Sequence, residues 1–187
     1  ISSNPSVTTN EDVQYSFSLS NFNYSDVDDD ALSLVKITDL ESAGTFYLDA
    51  DNDDNYDSGE DITDDQEITA SNIASGHLRF SPVTNENGSS YTTFTFKVSD
   101  GYLTDIASVS VTILPVNDAP ILSTISDVSF DEDTLGNLLV EASDVDGDVL
   151  TFNITDGNNI SSIIDVDDIS FSTPLNYNGN ESFTVTV

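Results

Sequence analysis

The 187-residue chain carries 35 Asp and Glu against 3 Lys and Arg, a formal net charge of −32, so its own cations cannot neutralise it. Nucleic acid is excluded as a partner and an anionic membrane surface is disfavoured, because both draw affinity from basic side chains and only Lys36, Arg79 and Lys97 exist. A field of this sign attracts cations, and self-repulsion weakens the compact state until they bind.

Taken in chain order, short runs of alternating apolar residues predict strands. The first holds Val13, Tyr15, Phe17 and Leu19, followed by the flanks "GTFYL" and "ITDDQEIT" around an acidic segment. Leu78 and Phe80, then Phe94, Phe96 and Val98, then Val109, Val111 and Ile113 continue the pattern, and Phe183, Val185 and Val187 close it. Gly, Asn, Asp and Ser clusters separate the runs, and no segment carries a sustained helical stripe, so the fold class is all-β, a sandwich. Phe17, Phe46, Phe80, Phe94 and Phe96 fall on the alternating face and are expected in the core.

The chain also repeats itself. "NEDVQYSFSLSNFNYSDVDDDALSLVKIT" from Asn10 aligns with "DEDTLGNLLVEASDVDGDVLTFNIT" from Asp131, and "NENGSSYTTFTFKV" from Asn85 aligns with "NYNGNESFTVTV" from Asn176. Between the copies, "LPVNDAPIL" holds two prolines that disfavour helix and central strand. The expected organisation is a first sandwich over 1–115, a linker over 116–120 and a second sandwich over 121–187. Copy two stops at the equivalent of Val98, so it is expected to be truncated, lacking its last strand and leaving a sheet edge unpaired. The start "ISSNPSVTTNED" has no basic and apolar leader regions, and both ends are expected to be cuts from something longer.

"DADNDDNYDSGE", residues 49–60, places oxygen-bearing residues at the positions 1, 3, 5, 7, 9 and 12 of an EF-hand loop. Asp49, Asp51, Asp53, the Asn55 carbonyl, Asp57 and Glu60 are the predicted calcium ligands. Position 6, usually Gly because the turn needs positive φ, is Asp54, a residue that tolerates the left-handed region better than most. The flanks read as strands, so the loop is expected inside a β-hairpin without helices. A solvated acidic turn is the alternative, and five carboxylates in register with no cation beside them speak against it.

"DVDDD", with Asp26, Asp28 and Asp30, recurs as "DVDGD", with Asp144, Asp146 and Asp148. In an extended segment, carboxylates two apart point the same way and can chelate one hard cation; the other reading is an ordinary Asp/Gly turn between strands.

"PVNDAP" joining modules that begin with "ED" and carry "SDVDGD" and "FKVSDG" resembles the tandem cadherin-like repeats of very large bacterial surface adhesins, including those of the RTX type. The resemblance covers both copies. It implies tandem Greek-key β-sandwiches with calcium between repeats, in an array that projects an adhesive tip from the cell. It also implies a junction site drawing on Glu11, Asn117, Asp118, Asp144 and Asp146, with Glu86 a weaker candidate and an incomplete set in copy two. Asp26, Asp28 and Asp100 of copy one would face a preceding module, and Glu132 a following one.

The absence of Cys rules out disulfides and thiolate metal sites, and no apolar run of about 18 residues offers direct membrane insertion. Catalysis finds little support. His77 is the only His, expected on a strand at the surface, so no Ser-His-Asp or Cys-His set can be assembled, and paired carboxylates in hydrated turns lack the raised pKa a glycosidase needs. The expected function is therefore that of non-enzymatic, calcium-binding, calcium-stiffened extender modules of a secreted or cell-surface bacterial adhesin. Their partners are calcium ions and neighbouring repeats of the same chain. The rival reading is a module that itself binds polysaccharide or another adhesin module, with Tyr47, Tyr56 and Tyr102 as candidate sugar-stacking residues.

Overall fold

The computed structural model describes residues 4–102 and 104–187; the first three residues of the first expected module and Leu103 lie outside that description. The chain divides into two compact units, Ile1–Val116 and Asn117–Val187. Among the described residues no helix is long and apolar enough to cross a membrane.

In the first unit the strands are β1 (Ser6–Asn10), β2 (Tyr15–Ser16), β3 (Leu34–Asp39), β4 (Thr45–Leu48), β5 (Glu67–Thr69), β6 (Leu78–Ser81), β7 (Gly88–Ser99) and β8 (Thr104–Leu114). They form a five-stranded sheet in the order β1-β8-β7-β3-β5 and a three-stranded sheet in the order β2-β6-β4. Alternation explains the burial. Phe94, Phe96 and Val98 of β7 and Ala107, Val109, Val111 and Ile113 of β8 are buried, while the residues between them are more open.

These side chains meet Phe46, Leu78 and Phe80 from the other sheet in one apolar core. All five phenylalanines expected there are buried. Phe17 stands edge-on to Phe94, centroids 5.6 Å apart and rings at 82°, the arrangement the ring quadrupoles favour. The alternation around Phe17 misleads at its ends: Val13 is exposed, and Leu19 opens a 3-10 turn, Leu19–Phe22, that buries Phe22 instead. One short helix, α1 (Ala70–Ala74), follows β5, capped by Thr69, whose hydroxyl accepts the Asn72 N–H at 3.2 Å. Strand β1 pairs with β8 in parallel, from Ser6 opposite Ser110 to Asn10 opposite Leu114, whereas every other pair in that sheet is antiparallel.

The second unit contains β9 (Ile121–Leu122), β10 (Gly136–Leu139), β11 (Ala142–Ser143), β12 (Asn153–Ile154), β13 (Ser161–Asp165), β14 (Asp168–Ser172) and β15 (Val185–Thr186). Its sheets are β10-β14-β13, β11-β9 and β12-β15. Val140, Ile160, Ile169 and Phe171 are its buried apolar residues, with Phe130, Leu138 and Phe183 packed against them.

The repeat is visible in detail. The Asn85 N–H donates to Asp12 Oδ1 at 3.0 Å, and the aligned Asn176 N–H donates to Asp133 Oδ1 at 2.8 Å. All four residues have positive φ, between 57° and 61°, a conformation Asn and Asp accept most readily among non-glycine residues.

Candidate functional site

The acidic loop leaves the sheet after β4 and is closed by antiparallel backbone contacts. The Leu48 N–H donates to Glu60 O and the Ile62 N–H to Phe46 O, each at 2.9 Å, around a bridge between Tyr47 and Asp61. Only this bridge is hairpin-like, because β4 pairs with β6 whereas β5 belongs to the other sheet, beside β3. The loop therefore sits where the chain crosses between sheets.

Asp49 is fully buried at the base of the loop. Its Oδ1 accepts the Asp53 N–H at 3.3 Å and its Oδ2 the Asp54 N–H at 3.2 Å, so the chain wraps around its carboxylate. Asp54 has φ +67°, the conformation the pattern demands of position 6. Asp49, Asp51 and Asp53 each bring a carboxylate oxygen within 4.8 Å of the others, the one such group of metal-type ligands among the described residues. Partial desolvation first, and then the neighbouring Asp53 carboxylate, raises the Asp51 pKa.

The outer half of the loop is tied to its own backbone. Glu60 accepts the Ala50 N–H at 2.7 Å on Oε1 and the Asp57 N–H at 3.0 Å on Oε2, while Asp53 Oδ1 accepts the Asn55 N–H at 2.8 Å.

A cation does lie beside these carboxylates, contrary to the expectation. Arg79 of β6 places Nε 3.0 Å from Asp49 Oδ2, and its Nη2 contacts Asp54 Oδ1. The first contact is an ion pair without an aligned hydrogen bond, since Arg79 Nε is buried and makes none. Arg79 stands opposite Tyr47 in the β4–β6 pairing, which brings it to the loop from a distant part of the sequence.

The residues of the implied junction set are distributed between the units. In the first, Glu11 is 2% exposed, accepts the Val116 N–H on Oε1 and the Asn87 Nδ2 at 3.3 Å on Oε2; Glu86 accepts the Tyr91 hydroxyl. In the second, the Asp118 N–H donates to Asp146 Oδ2 at 2.7 Å, and Asn117, Asp118, Asp144 and Asp148 line one shallow depression.

Both Asp-x-Asp segments are turns. Asp26 Oδ1 accepts the N–H groups of Asp28 at 2.8 Å and Asp30 at 3.3 Å; Asp144 Oδ1 accepts those of Asp146 at 2.9 Å and Asp148 at 3.2 Å. The first carboxylate folds back on its own chain, so the extended chelating geometry gives way to the Asx turn. Asp100 makes the same kind of turn, accepting the Tyr102 N–H at 2.6 Å. Glu132 is exposed.

His77 precedes β6 instead of lying in it, and its carbonyl accepts the Asp49 N–H at 2.8 Å. Of the three tyrosines considered for sugar stacking, Tyr47 is fully buried with its hydroxyl on Gln14 at 2.8 Å, which removes it; Tyr56 is partly covered and bonded to Asp61, and Tyr102 is 87% exposed.

Residues 117–187, the second unit, match a family described as a bacterial Ig domain, in agreement with the all-β fold. No curated protein matches the chain. Among solved structures, an endo-fucoidan hydrolase from glycoside hydrolase family 107 is 19% identical, covering 98% of this chain and 26% of that one at a TM-score of 0.34. Domains 1–6 of the surface layer protein SbsC are 14% identical, covering 97% and 21% at 0.24, and titin domains z1z2 in complex with telethonin are 10% identical, covering 94% and 81% at 0.26. The chain thus spans about a quarter of the hydrolase it resembles. At these scores the likenesses assign neither activity nor ligand.

Proposed function

We propose that the chain is a calcium-binding, non-catalytic module pair from the extender of a bacterial surface adhesin, in which calcium stiffens otherwise self-repelling β-sandwiches. The observation that carries this reading is the convergence of the Asp49, Asp51 and Asp53 carboxylates at EF-hand spacing around a left-handed Asp54. These groups fit a hard cation, which prefers oxygen ligands, beside the Arg79 guanidinium that already pairs with Asp49 and Asp54. Asp49, Asp51 and Asp53 would hold the ion, with the Asn55 carbonyl, Asp57 and Glu60 completing the set by spacing. The ion would supply charge neutralisation alone.

The bacterial Ig domain match over 117–187 supports an extracellular surface setting and a module without catalysis. The resemblance of "PVNDAP" and "DVDGD" to adhesin repeats supports the finer assignment. Binding to the folded state alone raises stability by mass action, so calcium near the ~10⁻⁴–10⁻³ M range of extracellular modules would keep the sandwich firm outside the cell.

The test is a calorimetric titration of the EDTA-stripped chain with calcium, with thermal melts at both ends and with the Asp49→Ala/Glu60→Ala double variant in parallel. Binding with a rising melt, lost in the variant, is expected. An unchanged stoichiometry and melt in the variant would remove the loop assignment.

A further inference from the structure

Arg79 is the only arginine in the chain, and its backbone is fixed while its side chain is not. β6 is the middle strand of β2-β6-β4, with Ser16 opposite Arg79 on one side and Tyr47 on the other. The side chain turns about its own bonds and ends between two carboxylates of different character. Asp49, whose Oδ2 lies 3.0 Å from Nε, is fully buried and stands at position 1 of the calcium pattern. Asp54, whose Oδ1 meets Nη2, is 72% exposed and stands at position 6, where the pattern asks for Gly and no ligand.

The hold on Asp49 is weak for so buried a group. Arg79 Nε is buried and makes no hydrogen bond, so this contact is charge pairing without the aligned N–H that makes such pairs strong. The Asp53 and Asp54 N–H groups reach the same carboxylate at 3.3 Å and 3.2 Å, both long for an amide donor. Asp49 is thus neutralised in part and still brings an oxygen within 4.8 Å of those of Asp51 and Asp53.

We propose that Arg79 is a tethered competitor of calcium for Asp49 and so sets the calcium concentration at which the loop loads. The inference rests on the calcium reading of the loop and adds its regulation. At low calcium the guanidinium serves as the counter-ion of Asp49 and keeps the loop wrapped around it. A guanidinium and a divalent cation drawn to one carboxylate repel each other, so each lowers the other's hold by the same factor. Arg79 can yield Asp49 without leaving the loop, because Asp54 retains its charge at the exposed rim. The departure from Gly at position 6 then has a physical reason: Asp54 is where the displaced guanidinium stays.

The test uses the full chain, EDTA-stripped and isotopically labelled, with calcium alone as the probe. One arginine gives one side-chain Nε–H resonance, which reports on Arg79 directly. Expected are a shift of that resonance and faster exchange of its proton with water, at the same calcium midpoint as the amide shifts of residues 49–60. In parallel, Arg79→Gln is expected to bind calcium about tenfold more tightly, and Arg79→Lys, which keeps the charge without the planar fork, to fall between. Melts at saturating calcium establish that the variants are folded. Should Arg79→Gln unfold without calcium, the Nε–H readout of the parent chain decides alone.

An Nε–H resonance that stays in place while the loop amides saturate would overturn the competition and leave the calcium reading standing. A folded Arg79→Gln chain with affinity within about twofold of the parent, or weaker, would overturn it as well, the latter making Arg79 a support for the loop. Loop amides that stay unmoved at millimolar calcium in parent and variants alike would remove the calcium reading itself.

Discussion

Arg79 Nε lies 3.0 Å from Oδ2 of the buried Asp49, on an arginine that also reaches Asp54 across the acidic loop. The chain thus spends one of its three basic residues as a counter-ion where its carboxylates are most crowded. Removing one partner of a buried pair leaves an uncompensated charge, at a cost of about 3–5 kcal/mol. Arg79→Gln is expected to lose about that much stability without calcium and to recover most of it at millimolar calcium, which would take over the neutralisation. Paired thermal melts check this, and an equal loss in both conditions would mean that calcium and Arg79 do not share Asp49.

Two carboxylates, Asp51 and Glu181, respond to acidity with opposite signs. The Asp51 pKa is raised, so the folded state holds that proton more tightly than the unfolded chain, and its contribution to stability falls as pH rises through the window above the ordinary aspartate value. Glu181 is lowered, by hydrogen bonds from the Asn159 side chain first and then from the backbone N–H groups of residues 158–160. Its contribution is present above the ordinary glutamate value and lost as pH falls through the lowered one. Glu181→Gln is therefore expected to lower the melt of the second unit at pH 7 and to flatten its acid dependence. Calcium binding, which needs Asp51 ionised, should weaken on acidification. Melts and titrations between pH 3 and 7 measure both.

Phe94 is buried in the first core, its ring centroid 4.6–6.3 Å from those of Phe17, Phe46 and Phe96. Phe94→Ala should cost about 3–5 kcal/mol in that unit, read from urea unfolding, with the second unit's transition unmoved.

Gly44 has φ +79° and no room for a side chain: a Cβ there would stand 2.4 Å from the Phe80 ring and 2.8 Å from Ser81 O. Gly44→Ala combines left-handed strain with overpacking and is expected to destabilise by about 2–4 kcal/mol. A change under 1 kcal/mol would show that Phe80 yields.

Strand runs, phenylalanine core, repeat and loop were legible in the sequence because each is local or periodic. Period-two burial exposes β7 and β8 directly, and the spacing of Asp49, Asp51 and Asp53 carries its own geometry. What escaped depends on pairing. Arg79 meets the loop only because β6 lies beside β4, and nothing near residues 49–60 announces it. The loop's crossing between sheets likewise follows from β5 choosing β3 as its neighbour. For the Asp-x-Asp segments the sequence leaves chelating pair and Asp turn both open, and the backbone takes the turn: short side chains next to free N–H groups bond the backbone first, and Asp26 and Asp144 do so in the same pattern.

The parallel pairing of β1 with β8 fixes how the first unit responds to tension. Because the two strands run in the same direction, the chain enters at one end of their shared ladder and leaves at the other. A pull applied through entry and exit therefore slides β1 along β8 and loads the hydrogen bonds from Ser6 to Asn10 together, instead of opening them one at a time. Forced unfolding is governed by the barrier to the first rupture, and a ladder loaded in shear presents a higher one than a ladder that unzips. Strand β1, an edge strand held by β8 alone, is thereby also the unit's mechanical latch.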